Sequence, residues 1–526
     1  FNSDSVINHA ACTITCEETT MAKIISADQA AELLKDNSTV IISGFVGCGH
    51  PEALTSAAER RFLKSGRPKN LTLVFSAGQG NGKGLGAEHF AHEGMVKRVI
   101  GGHWNWAPGL GRMAEANTIE AYNLPQGTIV QLFRAIAAGQ PGVVSSIGLQ
   151  TFVDPRIEGG KLNQKTTEDL VELCRFDGRE YLRYKPFSCD AALLRGTSAD
   201  IHGNISIEQE AVKLEILSIA QAVHRNGGQV IVQVKKLKNS PIPPREVVIP
   251  GMLVDCLVLA DENQHMQTYA TDYDAAFAGL AHKDVSDMKP LGHGWRRVVA
   301  ERAYRELPEN AIVNLGIGVP EGVAAVAAEK GAADRLTLTV EAGGIGGVPA
   351  GGLDFGAVYN ASAFLEHSQQ FDFYDGGGLN AACLGFAQAD STGNVNVSKF
   401  NGRIAGCGGF INITQSSPLV MFCGSFTTGG LETAIEDRKL KIVNEGRIKK
   451  FVKTVEQITF SGPYASQNEA KVLFITERAV FELCEGKLML TEIAPGIDPE
   501  RDIFSQMEFK PMVAAELRTM PEELFT

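Results

Sequence analysis

Three sequence patterns occur twice in this chain, in the same order, and that repetition limits its fold more than any other feature. Residues 47–52 read GCGHPE and residues 316–321 read GIGVPE, both G-x-G-x-P-E. Each follows an apolar run, TVIISGFV or AIVNL, and precedes a stretch of helical character, 53–62 or 322–330. Residues 71–78, LTLVFSAG, pair with 336–343, LTLTVEAG. Residues 191–205, AALLRGTSADIHGNI, pair with 381–395, AACLGFAQADSTGNV. A single match could be coincidence; three in order indicate a duplicated unit. Strand-like runs alternate with helical ones, so the expected fold class is α/β: two related α/β domains with largely parallel sheets and helical cover. G-x-G-x-P fits a strand-to-helix turn with proline at the first helical position. In such sheets, ligands sit beyond the carboxyl ends of the strands. The boundary is expected near 283–291, around DVSDMKPLG, giving domains over 21–285 and 292–526.

Where the copies differ, they point to chemistry. Glu341 in the second half aligns with Ser76 in the first. The scaffold therefore does not require a carboxylate there. Glycine occupies 343, 344, 346, 347, 351 and 352. That density costs chain entropy. It makes sense where backbone must approach a ligand closely or donate N–H groups to an anion.

The 526 residues are enough for several domains and a large core. Net charge is 49 − 61 = −12. That acidic balance argues against sequence-independent nucleic-acid binding. No apolar run has the length of a membrane span. Ten cysteines are scattered, with Cys12 and Cys16 the only close pair and no CxxC. This usage fits a reducing, cytoplasmic setting without a disulfide framework. Residues 1–20 lack the basic start and apolar stretch of a secretory signal and are too acidic for an organelle transit peptide. They read as a leader or disordered extension without function. From Met21, MAKIISADQAAELLK reads as strand then helix, with Ser26 or Asp28 near the helix start.

Other motifs weigh less. GQGNGKG at 78–84 lacks the Ser/Thr that follows lysine in a phosphate loop, and Ala77 occupies the first glycine position. NLGIGVPEG offers only G-x-G of a dinucleotide fingerprint, and Pro320 interrupts it; binding of an anionic group at the helix N-terminus suits it better. His89 and His92 have metal-like spacing but no evident third ligand, so no metal site is expected. Cys48 and Cys407 lie in glycine turns and read as packing residues. Residues 437–451, DRKLKIVNEGRIKKF, read as a solvated hairpin or as an attractor of phosphates. Trp104, Trp106, Phe373 and Tyr374 read equally as walls of an apolar pocket or as core.

The assembled motifs resemble the family I CoA-transferases, nearest the propionate CoA-transferase type. The likeness runs from Met21 to Phe525. It is carried by SGFVGCGHPEAL, SAGQGNGKGLG, KRVIGGHW, AYNLPQG, TFVDPRIEGGKLN, NLGIGVPEGVA, TVEAGGIGGVPAGG, QFDFYDGGGL, NVSKFNGRIAGCGGFINI and ITERAVFEL. The resemblance implies transfer of coenzyme A from a short-chain acyl-CoA, of the propionyl or acetyl type, to a free carboxylate. It implies an active site at the domain interface, with Glu341 as nucleophile. It implies a glycine loop, here Gly408 and Gly409, as oxyanion donors, with Gln79 a second candidate facing Glu341 across the interface. Candidates for holding CoA are Gly316, Gly318, Gly343, Gly344 and the cation of NVSKF; position 398 there is Ser398, and the lysine beside it is Lys399.

A carboxylate nucleophile suits CoA exchange because its acyl adduct is an anhydride, which keeps the acyl group activated. The resemblance implies no permanently bound cofactor, CoA acting as substrate and covalent intermediate, and a cytoplasmic homo-oligomer without nucleic-acid or membrane partners. Two alternatives stay open: an acyl-CoA hydrolase on the same scaffold, and a noncatalytic acyl-CoA-binding protein.

Overall fold

The computed structural model describes residues 22–284, 291–332 and 335–526. The expected leader, 1–20, and the centre of the expected boundary, 285–290, lie outside the described residues. Two large sheets carry the fold. The first contains β1 (Lys23–Ile24), β2 (Thr39–Ile42), β3 (Leu71–Phe75), β4 (Val96–Gly101), β5 (Glu120–Asn123), β6 (Ala191–Ala199), β7 (Gln229–Leu237) and β8 (Cys256–Leu259). Its order is β1-β8-β7-β6-β2-β3-β4-β5, every one of these pairs parallel, with a short antiparallel strand, Ile205–Ser206, beside β6.

The second contains β9 (Ala311–Leu315), β10 (Leu336–Thr339), β11 (Gly344–Ile345), β12 (Ala363–Phe364), β13 (Ala381–Leu384), β14 (Leu419–Cys423), β15 (Lys471–Ile475), β16 (Ala479–Cys484), β17 (Lys487–Ile493) and β18 (Met512–Thr519). Its order is β12-β11-β10-β9-β13-β14-β15-β16-β17-β18. The centre, from β10 to β15, is parallel, but antiparallel pairs flank it on both sides. The second sheet thus has a parallel centre with antiparallel margins, and both sheets are parallel at their cores.

The repeat is visible strand for strand. The run β8-β7-β6-β2-β3 corresponds to β15-β14-β13-β9-β10. Val40 stands opposite Leu73 and Ala191; Val313 stands opposite Leu338 and Ala381. These strands are short apolar runs because helices cover both faces; Val40, Ile41 and Ile42 are all fully buried.

Helix α1 (Ala27–Glu32) begins at a capping box in which Ser26 and Gln29 satisfy each other's backbone N–H groups. Helix α2 (Glu52–Ser65) follows the first G-x-G turn and ends at Gly66 in the left-handed conformation, φ 68°. Pro51 occupies its cap rather than the first helical position, and Pro320 likewise precedes the equivalent helix (Gly322–Glu329). The turn is thus longer than G-x-G-x-P alone suggests, by one residue in the first copy and two in the second. Helices α3 (Gln126–Ala137), α4 (Ile216–Arg225), α5 (Gly322–Glu329), α6 (His367–Asp375) and α7 (Phe410–Gln415) complete the frame of the site. A small apolar cluster joins the halves, with Phe45, Val46, Leu214 and Phe277 from the first and Val340, Ala342 and Val358 from the second. No helix among the described residues is long and apolar enough to cross a membrane.

Candidate active site

Glu341 sits just past the carboxyl end of β10, where a parallel sheet opens to ligands. Two turn hydrogen bonds, Val340 N–H to Gly344 C=O and Gly343 N–H to Val340 C=O, both 2.9 Å, fold the chain back behind it. The carboxyl group faces a cavity of about 390 Å³ between the halves. The second half contributes Gly316, Ile317, Phe355, Phe386 and the 406–410 loop; the first contributes Phe45, Val46, Gly78, His103, Trp106 and Gln126. A larger open groove of about 930 Å³, near Arg134, His224 and Arg225, contains none of these residues. Burial pushes the Glu341 carboxyl up to about 7, against the opposing pull of His367 and of its own backbone N–H. Such a group is a poorly solvated, reactive carboxylate once ionised.

The glycine loop meets Glu341 directly. A Cβ built on Gly409 would lie 3.2 Å from Glu341 Cγ and 3.3 Å from its Oε1. The two candidate donors are not equal. Gly408 already donates its N–H to the Gly102 carbonyl at 2.7 Å, whereas the Gly409 N–H donates to no group among the described residues. Gly408 serves instead as a hinge, at φ 54°, whose carbonyl accepts from Gln126 N–H at 3.0 Å.

Several expected site residues lie elsewhere. Gln79 does not face Glu341: its amide nitrogen donates to the Ile42 carbonyl at 3.0 Å and its oxygen lies 2.6 Å from His50 Nδ1. Gln126 is the glutamine that lines the cavity. Gly343 and Gly344 are glycines for internal reasons. A Cβ would come within 2.2 Å of the Leu365 carbonyl oxygen at 343 and 2.5 Å of Val358 Cγ2 at 344. Much of the glycine density after Glu341 thus lets the chain cross itself rather than receive a ligand. Gly316 does line the cavity; Gly318 is exposed and is not part of the lining. Ser398 is buried against Gln457 and Thr459, and Lys399 lies in the field of Glu158; neither lines the cavity.

Of the aromatic candidates, Trp106 lines the cavity, while Trp104 and Tyr374 are core and Phe373 packs against Gly378. His89 is held between Glu52 and Glu59, and His92 contacts Glu59 at 2.7 Å. At the start of the basic stretch, Lys439–Asn444 pairs with the preceding Glu432–Glu436 as a hairpin. Lys450 departs from it: it is buried over the Phe386 ring, and burial draws its amine down to about 7.

Cys407 lines the cavity, but burial drives its thiol far above the ordinary range, and its Sγ points to the Leu124 carbonyl. Burial also pushes the Cys48 thiol up to about 12. Neither supplies thiolate at neutral pH. Cys407→Ala and Cys48→Ala are each expected to retain at least roughly a third of wild-type kcat, since neither change removes an activated nucleophile. Steady-state assays of the two folded variants check this; near-complete loss in either moves the nucleophile to that thiol.

Sequence reasoning missed five contributors: Phe45, Val46, His103, Gln126 and His367. The first four follow the carboxyl ends of β2, β4 and β5, so the strand-end rule, applied to every strand, would have found them. Val46 is a β-branched residue held at φ 53°, pinned by Val46 N–H to Gly78 C=O at 2.8 Å and Gly80 N–H to Val46 C=O at 3.0 Å. Such a conformation is strained and occurs where surrounding structure enforces it. His103 is an uncharged imidazole, since burial lowers it to about 4. His367 is reached only through tertiary contacts, its Nδ1 2.5 Å from Glu215 Oε2 and its Nε2 2.9 Å from the Gln126 amide nitrogen.

Comparison with known proteins bears on what this cavity is for. A sequence model of the family described as "Coenzyme A transferase" matches residues 24–260. Caffeate CoA-transferase of Acetobacterium woodii is 47% identical over 514 residues, 96% of this chain and 98% of that protein. Acetate CoA-transferase YdiF of Escherichia coli K12 is 45% identical over 505 residues, 95% of each. The crystal structure of the YdiF apoenzyme from E. coli O157:H7 superposes with a TM-score of 0.92 at 43% identity, covering 96% of both chains. The same enzyme in a thioester complex with CoA gives 0.90 at 42% identity, again over 96% of both. The chain belongs to the coenzyme A transferase family and is an acyl-CoA:carboxylate CoA-transferase.

Proposed function

We propose that this enzyme moves CoA from a short-chain acyl-CoA, of the propionyl or acetyl type, to a free carboxylate by a ping-pong mechanism centred on Glu341. The observation that carries this is the Glu341 carboxyl group, buried in a small cavity beside Gly409, whose N–H donates to no group among the described residues. The carboxylate attacks the thioester carbonyl, and CoA leaves as thiolate, giving an acyl-glutamyl anhydride. The thiolate then attacks the glutamyl carbonyl of that anhydride. The donor's carboxylate departs and glutamyl-CoA thioester remains. The incoming carboxylate runs both steps in reverse.

Each addition creates an oxyanion, for which the Gly409 N–H is the candidate donor; the Gln126 side-chain nitrogen, also at the cavity, is engaged with His367 Nε2 at 2.9 Å. Phe45, Trp106, Phe355 and Phe410 supply apolar walls that keep water from the two hydrolysable intermediates. Gly316 and Ile317, which also line the cavity, are the candidate contacts for the pantetheine end of CoA. The two halves act as domains over 21–285 and 292–526. The cavity volume and free, mostly buried cysteines support a small acyl group and a cytoplasmic setting. A homo-oligomer follows only from the family resemblance.

A donor–acceptor matrix tests the reading, with acetate, propionate, butyrate, lactate, acetoacetate and caffeate as acceptors. CoA transfer requiring a short-chain carboxylate supports it. CoA release without acceptor identifies a hydrolase, binding without turnover a noncatalytic protein, and preference for caffeate an aromatic-acid enzyme.

The raised Glu341 carboxyl also sets a pH dependence. Only the ionised form attacks, so CoA release in the first half-reaction rises with pH and levels off above about 7. Well below that midpoint, the single-turnover rate falls about tenfold per pH unit. A rate already flat from pH 5 upward contradicts this assignment.

A further inference from the structure

CoA exchange requires a free carboxylate to be held beside Glu341, yet no lysine or arginine stands among the described residues that line the cavity. Arg403, which donates to Asn105 Oδ1 at 2.9 Å, and Lys450, over the Phe386 ring, touch lining residues without lining the space themselves. A carboxylate taken out of water without a cation needs hydrogen-bond donors. The turn that follows β4 carries two candidates, His103 and Trp106. A Cβ built on Gly78 would lie 2.6 Å from His103 Nδ1 and 2.8 Å from Trp106 Cδ1, so both rings stand against the same glycine. His103 Cδ2 lies 3.6 Å from the position of a Cβ on Gly408, and Glu341 Cγ lies 3.2 Å from that of a Cβ on Gly409. The imidazole and the reacting carboxyl group therefore flank successive residues of one loop.

We infer that His103 and Trp106 hold the free carboxylate substrate beside Glu341, through Nε2–H and Nε1–H respectively. The inference rests on reading Glu341 as the nucleophile. His103 Nδ1 is enclosed and has no hydrogen-bond partner. Nε2 and Trp106 Nε1 also lack one among the described residues, but neither is enclosed, which leaves both on the cavity side. A carboxylate only accepts, so its arrival fixes the imidazole proton on Nε2. Burial keeps His103 uncharged, lowering it to about 4. The turn is held by the glycine loop itself. Trp104 N–H donates to Ala405 C=O at 2.8 Å and Gly408 N–H to Gly102 C=O at 2.7 Å, while Gly82 N–H donates to Trp106 C=O at 3.2 Å. The same contacts thus fix the carboxylate donors and the Gly409 N–H relative to each other.

Neutral donors suit a group that must leave at every turnover. A cation buried at the same place would hold the product acid and pair with Glu341 in the free enzyme. The donors also act unequally on the two substrates. Acyl-CoA carries no free carboxylate when it binds, and the carboxylate charge appears only as the anhydride breaks. The donors therefore stabilise the bound acid and the transition state alike, and bound acyl-CoA not at all. Their loss has a different signature in each half-reaction. With the acid as substrate, half-saturation rises and the limiting rate stays. With acyl-CoA, half-saturation stays and the limiting rate falls by the same factor, because the free enzyme forms are untouched and the equilibrium of the half-reaction is fixed.

The test is single-turnover kinetics of the full-length enzyme in both directions, propionyl-CoA with free enzyme and propionate with the glutamyl-CoA form. His103→Phe keeps a ring but removes the donor, and it deletes an enclosed nitrogen that has no partner, so the fold should lose no hydrogen bond. Half-saturating propionate is expected to rise roughly tenfold or more, as loss of a hydrogen bond to a charged group requires, with the limiting rate within about threefold. For propionyl-CoA, half-saturation should stay within about threefold while the limiting rate falls roughly tenfold or more. Trp106→Phe should shift all four values in the same directions, and it carries the test if His103→Phe does not fold. His103→Gln, which returns an N–H near the place of Nε2, should come within about threefold of wild type. Unchanged half-saturation for propionate in the Phe variants overturns the inference. So does a loss in His103→Gln as large as in His103→Phe, or a rise in half-saturation for propionyl-CoA in place of a slower rate. Borohydride trapping keeps the two readings apart. Trapping at Glu341 with propionate saturation unchanged in His103→Phe sinks the donors alone, and no trapping in active wild-type enzyme sinks the nucleophile.

Discussion

Glu341→Ala is expected to lose acceptor-dependent CoA transfer, with kcat falling by on the order of 10⁴-fold or more, as removal of the proposed covalent nucleophile requires. The variant should still fold. In the native enzyme the carboxyl is raised to about 7 from an unfolded value of 4.5. The unfolded chain therefore releases this proton first as pH rises, and the native state loses stability between those values. Alanine removes that loss, so the variant should be no less resistant to heat at pH 8 than the wild type is. Acyl-CoA binding should persist, because Gly316, Ile317 and the aromatic walls remain. Wild-type enzyme given acyl-CoA without acceptor should accumulate glutamyl-CoA thioester. Borohydride reduces that side-chain carbonyl to an alcohol, which peptide mass mapping should place at Glu341 and which Glu341→Ala should lack. Glu341→Asp is a more delicate probe: it keeps a carboxylate but withdraws it by about one methylene, and ~1 Å of misplacement can cost on the order of 100-fold. Wild-type transfer rates in Glu341→Ala would remove the residue from the mechanism.

The strand-end position of Glu341 was legible in the sequence because the second copy of the repeat breaks there with the first. The parallel strand order was legible for the same reason: Val40 and Val313 sit in equivalent apolar runs and take equivalent partners. The antiparallel margins of the second sheet were not, since strands such as Gly344–Ile345 and Ala363–Phe364 are too short to leave a period-2 pattern. Glycine proved an ambiguous sign. At 343 and 344 it admits a neighbouring segment of the same chain, and at 409 it admits the Glu341 side chain. Composition alone does not distinguish those uses. Gln79 was a candidate through the family resemblance, yet its amide holds His50 and Ile42 together. Gln126 sits in LPQG, which reads simply as a helix start. The Glu215–His367 contact joins residues 152 positions apart and leaves no local pattern.

Gly409→Ala should lower kcat by roughly 10- to 100-fold through misplacement of the reacting group, with little loss of stability. The backbone there has φ −82° and ψ −1°, which alanine adopts without strain. The new methyl would stand 3.2 Å from Glu341 Cγ, 3.3 Å from its Oε1 and 3.1 Å from Phe371 Cζ. Phe371 belongs to the packed core, so the glutamate side chain is the part able to move. Its movement separates the carboxyl group from the Gly409 N–H, which the methyl also crowds. Both effects act on the transition state more than on bound substrate, so KM for acyl-CoA should change far less than kcat.

Gly408→Ala is the control, since its backbone, at φ 54°, lies in the left-handed region and its N–H already serves Gly102. A Cβ there meets nothing closer than 3.6 Å. Its cost should appear as about 1–2 kcal/mol of lost stability from the unfavourable backbone. Thermal unfolding and single-turnover CoA release, measured on both variants, should therefore separate the neighbouring glycines: position 409 slow and stable, position 408 less stable and nearer wild-type speed. Wild-type single-turnover rates in Gly409→Ala would show that the carboxyl group does not react from the place beside this loop.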